Sequence, residues 1–392
     1  MTSAYRRARS LILHWQDGEL LAENYLAEKS TDHDEPNAVT VDPVTLDLLE
    51  RFADWRPAEE VAAELPEFST DSVLEAVGQL EECGLLVRRG DAAAAQEEAL
   101  LREWRHWSVE ARFFHFGTKD AVYIGDDEEH RRAAAEVVTA TGPAPPIFKS
   151  HPDAPQVYLP RALLPLDQPF GEVLTGRRTI RDFTAEPVTL AELSTVLHYT
   201  FGPMHFVDGR EFGTLFLRTS PSGGARQELE CYLAVRDVAG LPPAIYHYRA
   251  ENHSLELLDP GHDPELVDRL CFAQRMCADA AFLCFVTAVF DRSMYKYRHP
   301  RAYRVTLLGA GHLGQTFALT CTALGLGPFQ TAALRDSETE AALGVDGFAE
   351  AVLYLLGAGR PAPRPGPNLP ELEPAAVTRE SLVGESRHLH DH

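Results

Sequence analysis

The chain has 392 residues, 45% of them apolar and 9% aromatic, enough for two buried cores and too rich in apolar material for global disorder. Lys and Arg number 36 against 59 Asp and Glu, and the net charge of −23 sets aside nucleic acid and anionic membrane surfaces as partners for most of the exterior. Any anion-binding site has to be a local exception.

In chain order, residues 1–91 predict a small winged-helix domain. The basic residues Arg6, Arg7 and Arg9 are followed by too short an apolar run to serve as an export signal. A strand over 11–15 comes next, then a helix with Asp42 as N-cap and Pro43 in first position, burying Leu46, Leu48, Leu49 and Phe52. A short helix over 57–65 follows, then a longer one from Asp71 that buries Val73, Leu74, Val77 and Leu80 and stops at Gly84. Residues 85–89 read as the wing strand. With 8 Lys/Arg against 19 Asp/Glu, the first ninety residues carry the wrong sign for a DNA backbone.

Residues 92–165 predict a helical connector, Ala- and Glu-rich over 92–107 and broken by Gly and Pro at 142–146. Residues 166–365 predict the larger domain. In it Thr189 and Glu192 form a capping box for a helix through Leu193, Val196 and Leu197. Strands are expected at 231–238, 282–290 and 351–356, and a hairpin from 244–248 and 254–258. The stretch 305–334 carries no fixed charge, but its His312, Gln315, Thr and Gly suit a helix in a protein core better than a membrane span. Residues 366–392 read as a tail, whose His388, His390 and His392 offer a stray-metal site or simply a frayed end. The six cysteines, Cys83, Cys231, Cys271, Cys277, Cys284 and Cys321, contain no Cys-x-x-Cys pair and lie mostly in apolar runs. They point to a cytoplasmic protein with reduced thiols and no metal.

Three motifs carry chemistry. Arg177, Arg178, Thr179 and Arg181 place three guanidinium groups and a hydroxyl within five residues of an acidic protein, which suits either a phosphorylated cofactor or a solvated basic turn. Pro221, Ser222, Gly223 and Gly224 precede a strand and let backbone amides approach a flat ligand, although Ser-Gly-Gly turns are also common without one. Lys296 and Tyr297 lie in a basic, aromatic cluster where a cation next to a phenol makes phenolate accessible as a base, or where a helix start simply faces solvent. On the following helix His312 and Gln315 are expected to face inward, His312 fitting a core residue as readily as a catalyst. No dinucleotide fingerprint or P-loop is present.

Six segments in order, RRTIRDF, SPSGGA, GLPPAIYHYRAENHSLELL, KYRHPRAYRVTLLGAGHLGQ, ALGLGPF and GVDGFAEAVLYLLGAGRP, resemble the SagB-type FMN-dependent peptide dehydrogenases of the nitroreductase superfamily over about 170–361. The resemblance implies an α+β fold: a four- or five-stranded mixed sheet wrapped by helices, in a homodimer with FMN at the subunit interface. By position, Arg177, Arg178, Thr179, Arg181, Pro221, Ser222, Gly223, Gly224, Gln315, Gly325, Leu326, Gly327 and Arg360 would contact FMN, while Lys296 and Tyr297 would be catalytic. The implied activity oxidises thiazoline or oxazoline rings to azoles in a precursor peptide, with hydride passing to flavin N5, dioxygen as final acceptor and a cyclase as partner. The winged-helix region is similar to domains that bind leader peptides by strand addition. An NAD(P)H-dependent nitro or quinone reductase, and a non-catalytic recognition subunit, are the alternatives. Two departures stand out: Arg226 and Gln227 follow the Ser-Gly-Gly loop and would change the charge beside the flavin, and Gly309 stands where an acidic residue is frequent.

Overall fold

A computed structural model of the protein describes residues 3–27, 38–121, 142–260 and 264–363, with 132, 135–138 and 140 between them. The tail with His388, His390 and His392 lies outside the described residues. The chain forms two compact units, Met1–Glu136 with His299–Arg301, and Val137–Arg298 with Ala302–His392.

The first unit runs β1 (Ala4–Arg7), β2 (Leu11–Gln16), β3 (Glu19–Asn24), β4 (Ala38–Thr40), α1 (Pro43–Arg51), β5 (Arg56–Pro57), α2 (Ala58–Ala63), α3 (Thr70–Glu82), β6 (Leu86–Arg88), α4 (Ala92–Glu103) and α5 (Val109–Gly117). Helix α1 begins where its chemistry requires: the Asp42 carboxylate accepts from the Thr45 amide at 2.7 Å, and Pro43 opens the first turn. Leu49, Phe52, Val61, Val77 and Leu85 meet in one core. The expected wing strand is β6, but it pairs with β1 rather than with a strand that follows it, in a sheet ordered β5-β1-β6. Helix α4, expected to open the connector, is anchored in this unit instead. Its buried Glu97 pairs with Arg6 and accepts from the Ser10 amide at 3.1 Å.

The second unit runs β7 (Gln156–Tyr158), α6 (Phe170–Gly176), β8 (Val188–Thr189), α7 (Leu190–Phe201), β9 (His205–Asp208), β10 (Thr214–Leu217), β11 (Leu229–Val235), β12 (Val238–Ala239), β13 (Ala244–Arg249), β14 (Ser254–Asp259), α8 (Pro264–Leu270), α9 (Arg275–Asp279), β15 (Phe282–Val289), α10 (Phe290–Met294), α11 (Arg301–Ala323), β16 (Gly327–Thr331), α12 (Asp336–Leu343) and β17 (Glu350–Gly359). The α+β expectation holds. The sheet is larger than four or five strands, because the 244–259 hairpin and β7 extend it to seven, ordered β16-β17-β15-β11-β13-β14-β7 with antiparallel neighbours.

Strand alternation gives each face its own core. Cys231, Leu233, Val235, Tyr246 and Tyr248 pack against Leu193, Val196 and Leu197 of α7 and Leu313, Phe317 and Cys321 of α11. The opposite face carries Tyr232, Ala234, Ile245, Leu283 and Phe285 against Val267, Leu270 and Cys271. The Thr189/Glu192 capping box is present and fixes the start of α7. Cys83 is exposed, the other five cysteines are buried, and all six are free. No helix among the described residues is long and apolar enough to cross a membrane.

His253 ties α7 to the β13–β14 hairpin, its ring nitrogens lying 2.7 Å from Ser194 Oγ and 2.8 Å from Tyr248 Oη. Burial, with His198 close by, pushes its pKa down to about 4, so the folded protein holds the ring neutral. The unfolded chain therefore takes up the proton first, and stability falls as the pH drops from about 6.5 to about 4, by up to about 3 kcal/mol. Urea midpoints measured at pH 7 and pH 4.5 should show a smaller acid loss for His253→Gln than for the wild type. Equal losses would remove His253 as the cause.

Candidate active site

The loop at Ser220–Gly224 is fastened to α11. Ser220 Oγ lies 2.5 Å from Thr316 Oγ1 and donates to the His312 carbonyl at 3.3 Å, while His312 Nδ1 sits 3.2 Å from the Pro221 carbonyl. Gly224 has φ +59°, and a Cβ there would collide with the Tyr297 hydroxyl; a Cβ on Gly223 would come within 2.5 Å of Val305 Cγ1. Both glycines are needed for close approach, and the phenol of Tyr297 rests on the backbone of Gly224.

Tyr297 follows α10, and its amide donates to the Ser293 carbonyl at 2.9 Å. Lys296 Nζ lies 5.2 Å from the Tyr297 ring centroid and 4.9 Å from that of Phe212, over the rings rather than at the hydroxyl. Arg226 is a second cation here that the sequence did not single out as a site residue. Burial pushes its pKa down, against the charge effects of Tyr295 and Tyr297, and its Nε donates to the Arg292 carbonyl at 2.8 Å. Arg226 and Gln227 are only 2% and 3% exposed, and Gln227 Nε2 donates to the Phe216 carbonyl at 3.2 Å. Arg226 and Gln227, expected to change the charge beside the flavin, have buried side chains that turn inward and hold the loop up. Gly309 has a similar explanation. Its missing Cβ would lie 3.6 Å from Glu228 Oε1, so a buried carboxylate already occupies the space an acidic side chain would claim.

The basic motif lies at the other end of α11. The Ile180 amide donates to the Pro328 carbonyl at 2.8 Å, and the Ile180 side chain packs where a Cβ on Gly327 would be. This brings Arg177–Arg181 beside Gly325, Leu326 and Gly327. Arg178 Nη1 donates to the Thr175 and Arg177 carbonyls, both at 2.7 Å, capping the C-terminal end of α6. Arg177 and Thr179 are half-buried and Arg181 is exposed. Among the described residues none of the three arginines pairs with a carboxylate, although acids outnumber bases heavily in the chain. Leu326 is a core residue, 3% exposed. Arg360 is engaged elsewhere: its guanidinium grips Glu192 at 3.0 and 2.9 Å, while its carbonyl accepts from Thr184 at 2.9 Å.

His312 and Gln315, expected to face inward, are exposed. They share an outer stripe of α11 with Tyr303, Leu307 and Leu308, the last 57% exposed. The structure thus makes two clusters rather than one. From Val305 beneath Gly223 to Ala323 before Gly325, α11 covers about 27 Å at 1.5 Å per residue. Within one chain the cavity at Ser220, Pro221 and Ser222 amounts to about 10 Å³.

Residues 174–360 match the Nitroreductase family. A Methanocaldococcus jannaschii protein described as a nitroreductase is 34% identical over 192 residues, covering 48% of this chain and 89% of that protein. The trifolitoxin-processing protein TfxB of Rhizobium leguminosarum bv. trifolii is 25% identical over 319 residues, 79% of this chain and 82% of its own length. A crystal structure from Anabaena variabilis, also described as a nitroreductase, aligns with a TM-score of 0.48 at 24% identity over 62% of this chain, and this chain spans about half, 49%, of that one. The chain belongs to the nitroreductase family. Within it, the resemblance to peptide-modifying members read from the six segments stands.

The two glycine positions separate in a test. Gly224→Ala forces a positive φ on a β-carbon and drives it into Tyr297, so a loss of at least about 1 kcal/mol is expected in urea denaturation. Gly309→Ala meets neighbours only at 3.5 and 3.6 Å within a helix, and is expected to be neutral or to stabilise by up to about 1 kcal/mol.

Proposed function

We propose that this chain is an FMN-dependent dehydrogenase of the SagB type that oxidises azoline rings, or a related backbone bond, in a precursor peptide. The observation that carries this reading is the Tyr297 phenol held against Gly224, with Lys296 over its ring and the buried Arg226 close by. The trifolitoxin-processing relative supports a peptide substrate, since its match extends well beyond residues 174–360.

The residues fit a phosphorylated flavin. Arg177, Arg178 and Arg181 supply cations without carboxylate partners among the described residues, and Thr179 adds a hydroxyl. Gly223 and Gly224 let the loop lie close against Val305 and Tyr297. When bound, FMN supplies the two-electron acceptor. Tyr297 takes a proton from the carbon of the heteroring as the electron pair leaves with the second hydrogen, and Lys296 and Arg226 place positive charge beside the phenol.

The two clusters separated along α11 favour a homodimer in which one chain offers the arginines and the other the Pro221–Gly224 loop. The apolar stripe of Tyr303, Leu307 and Leu308 on the same helix offers a contact face for the second copy. For the first unit, leader-peptide binding by strand addition is the matching role. Leu13 and Trp15 on the edge strand β2 are exposed, and a cavity of about 480 Å³ is lined by Asn24, Arg88 and Gln96 among others.

Tyr297→Phe is expected to keep flavin yet lose a factor of about 10²–10⁴ in oxidation of the precursor peptide, followed by mass spectrometry as loss of two hydrogens per ring. Wild-type turnover would remove Tyr297 from the chemistry. Arg177→Ala combined with Arg181→Ala should give colourless protein. Undiminished FMN absorbance would refute the phosphate assignment.

A further inference from the structure

A second set of chemically capable side chains lies away from the loop and arginine motifs. On β11, β13 and β14 the side chains of Glu230, His247 and Glu256 point away from the core under α7 and α11, to which their neighbours Cys231, Tyr246, Tyr248 and Leu255 belong. His151 comes to the same place from the segment before β7. One ring nitrogen from each histidine and a carboxylate oxygen of Glu256 lie within 4.8 Å of one another. Glu256 and His247 are fully buried.

Two polar atoms in this cluster lack hydrogen-bond partners among the described residues, His151 Nε2 and Glu256 Oε1. Arg249 Nη1 stands 3.6 Å from that carboxylate oxygen, beyond hydrogen-bond reach. Such atoms buried without partners cost free energy unless something binds them. We propose that His151, His247 and Glu256 form a structural site for a divalent cation of the zinc class, tying the segment at 142–156 to the outer face of the sheet. This is independent of the dehydrogenase reading, and it revises the expectation that the chain holds no metal.

The donor set selects the ion. Two imidazoles with one carboxylate suit zinc, whereas calcium and magnesium favour sites built from oxygen alone. His247 Nδ1 lies 2.9 Å from Glu256, and the ion takes the place of the proton between them, which leaves to solvent. His247 Nε2 lies 3.4 Å from Glu230, which Arg292 holds at 2.6 Å. That is the carboxylate–histidine–metal arrangement, in which an outer carboxylate fixes the tautomer and orientation of the ligand.

The tie reaches the candidate active site through the backbone. In the same segment the Pro146 carbonyl accepts from Arg292 Nε at 2.8 Å and the Gly142 carbonyl accepts from Tyr295 Oη at 3.3 Å, two and five residues before Tyr297 counting from Tyr295 and Arg292. A metal at His151 thus anchors the stretch that supports the Tyr297 turn.

The test is elemental analysis of the full-length protein purified from zinc-supplemented medium, with cobalt as a spectroscopic substitute. Close to one zinc per chain is expected, together with visible bands of tetrahedral cobalt, and both should disappear in His151→Ala and in His247→Gln while the far-ultraviolet circular dichroism is kept. A triple replacement of His388, His390 and His392 by Ala should retain the metal. Zinc below about one-tenth per chain in the wild type would overturn the site, as would full zinc in His151→Ala or loss of zinc in the tail variant. If His247→Gln fails to fold, the result with His151→Ala decides, because that side chain is only half-buried in a surface segment.

Discussion

Arg292 sits 2% exposed at the start of the turn that carries Tyr297, and its guanidinium bridges three parts of the second unit. One nitrogen pairs with Glu230 at 2.6 Å on the central strand β11, and the same nitrogen donates to the Gln227 carbonyl at 3.1 Å. Nε holds the Pro146 carbonyl, while the carbonyl of Arg292 itself receives Arg226 Nε. Burial alone would raise the pKa of Glu230, but Arg292 and His247 outweigh it and hold the carboxyl down to about 2. Removing one member of a buried pair of this kind typically costs about 3–5 kcal/mol, because the other charge is left without compensation. The strand, the 142–156 segment, the Arg226 loop and the Tyr297 turn are therefore fixed by one group. The phenol's position on Gly224 is a consequence.

The sequence was most informative where structure is local. The Asp42-Pro43 cap, the Thr189/Glu192 box and the short, largely apolar segments of β11, β13 and β15 each act within a few residues, so composition and spacing were sufficient. Local patterns could not show which charges would be buried against partners far along the chain. Arg226 and Gln227 read as a charged edge because nothing nearby announces Arg292, 66 residues from Arg226, as the acceptor. Nothing near Arg360 in the sequence announces its partner Glu192 either, 168 residues away. Gln315 and His312 failed differently. Small residues surround α11 on several sides, so helical periodicity alone did not say which stripe faces the sheet. The run Arg226, Glu228, Glu230 at the entrance to an apolar strand was the available signal of a buried polar network, since charges there need partners.

The acidic surface sharpens the meaning of the basic motif. In a chain with net charge −23, arginines are expected to find carboxylates, and Arg6, Arg292 and Arg360 do so. Arg177, Arg178 and Arg181 have none among the described residues, and Arg178 is turned onto carbonyls at the end of α6. Three cations within five residues repel one another, which an anion would relieve. This supports the proposed anion site at the end of α11 remote from the phenol.

The two faces of the sheet differ in what they demand of the chain around them. Helices α7 and α11 cover one face with apolar side chains, a contact that needs no particular partner beyond good packing. At the β11–β13–β14 end the other face presents Glu230, His247 and Glu256, together with Glu350 bonded to Thr287 at 2.5 Å and paired with Lys149. Buried charges are tolerated only when each has its partner, so the segment that brings Lys149, His151 and the Pro146 carbonyl is obligatory there. It behaves as part of the fold rather than as a linker. Because its contacts continue through Arg292 and Tyr295 to the Tyr297 turn, the polarity of this face and the placement of the phenol are one structural problem.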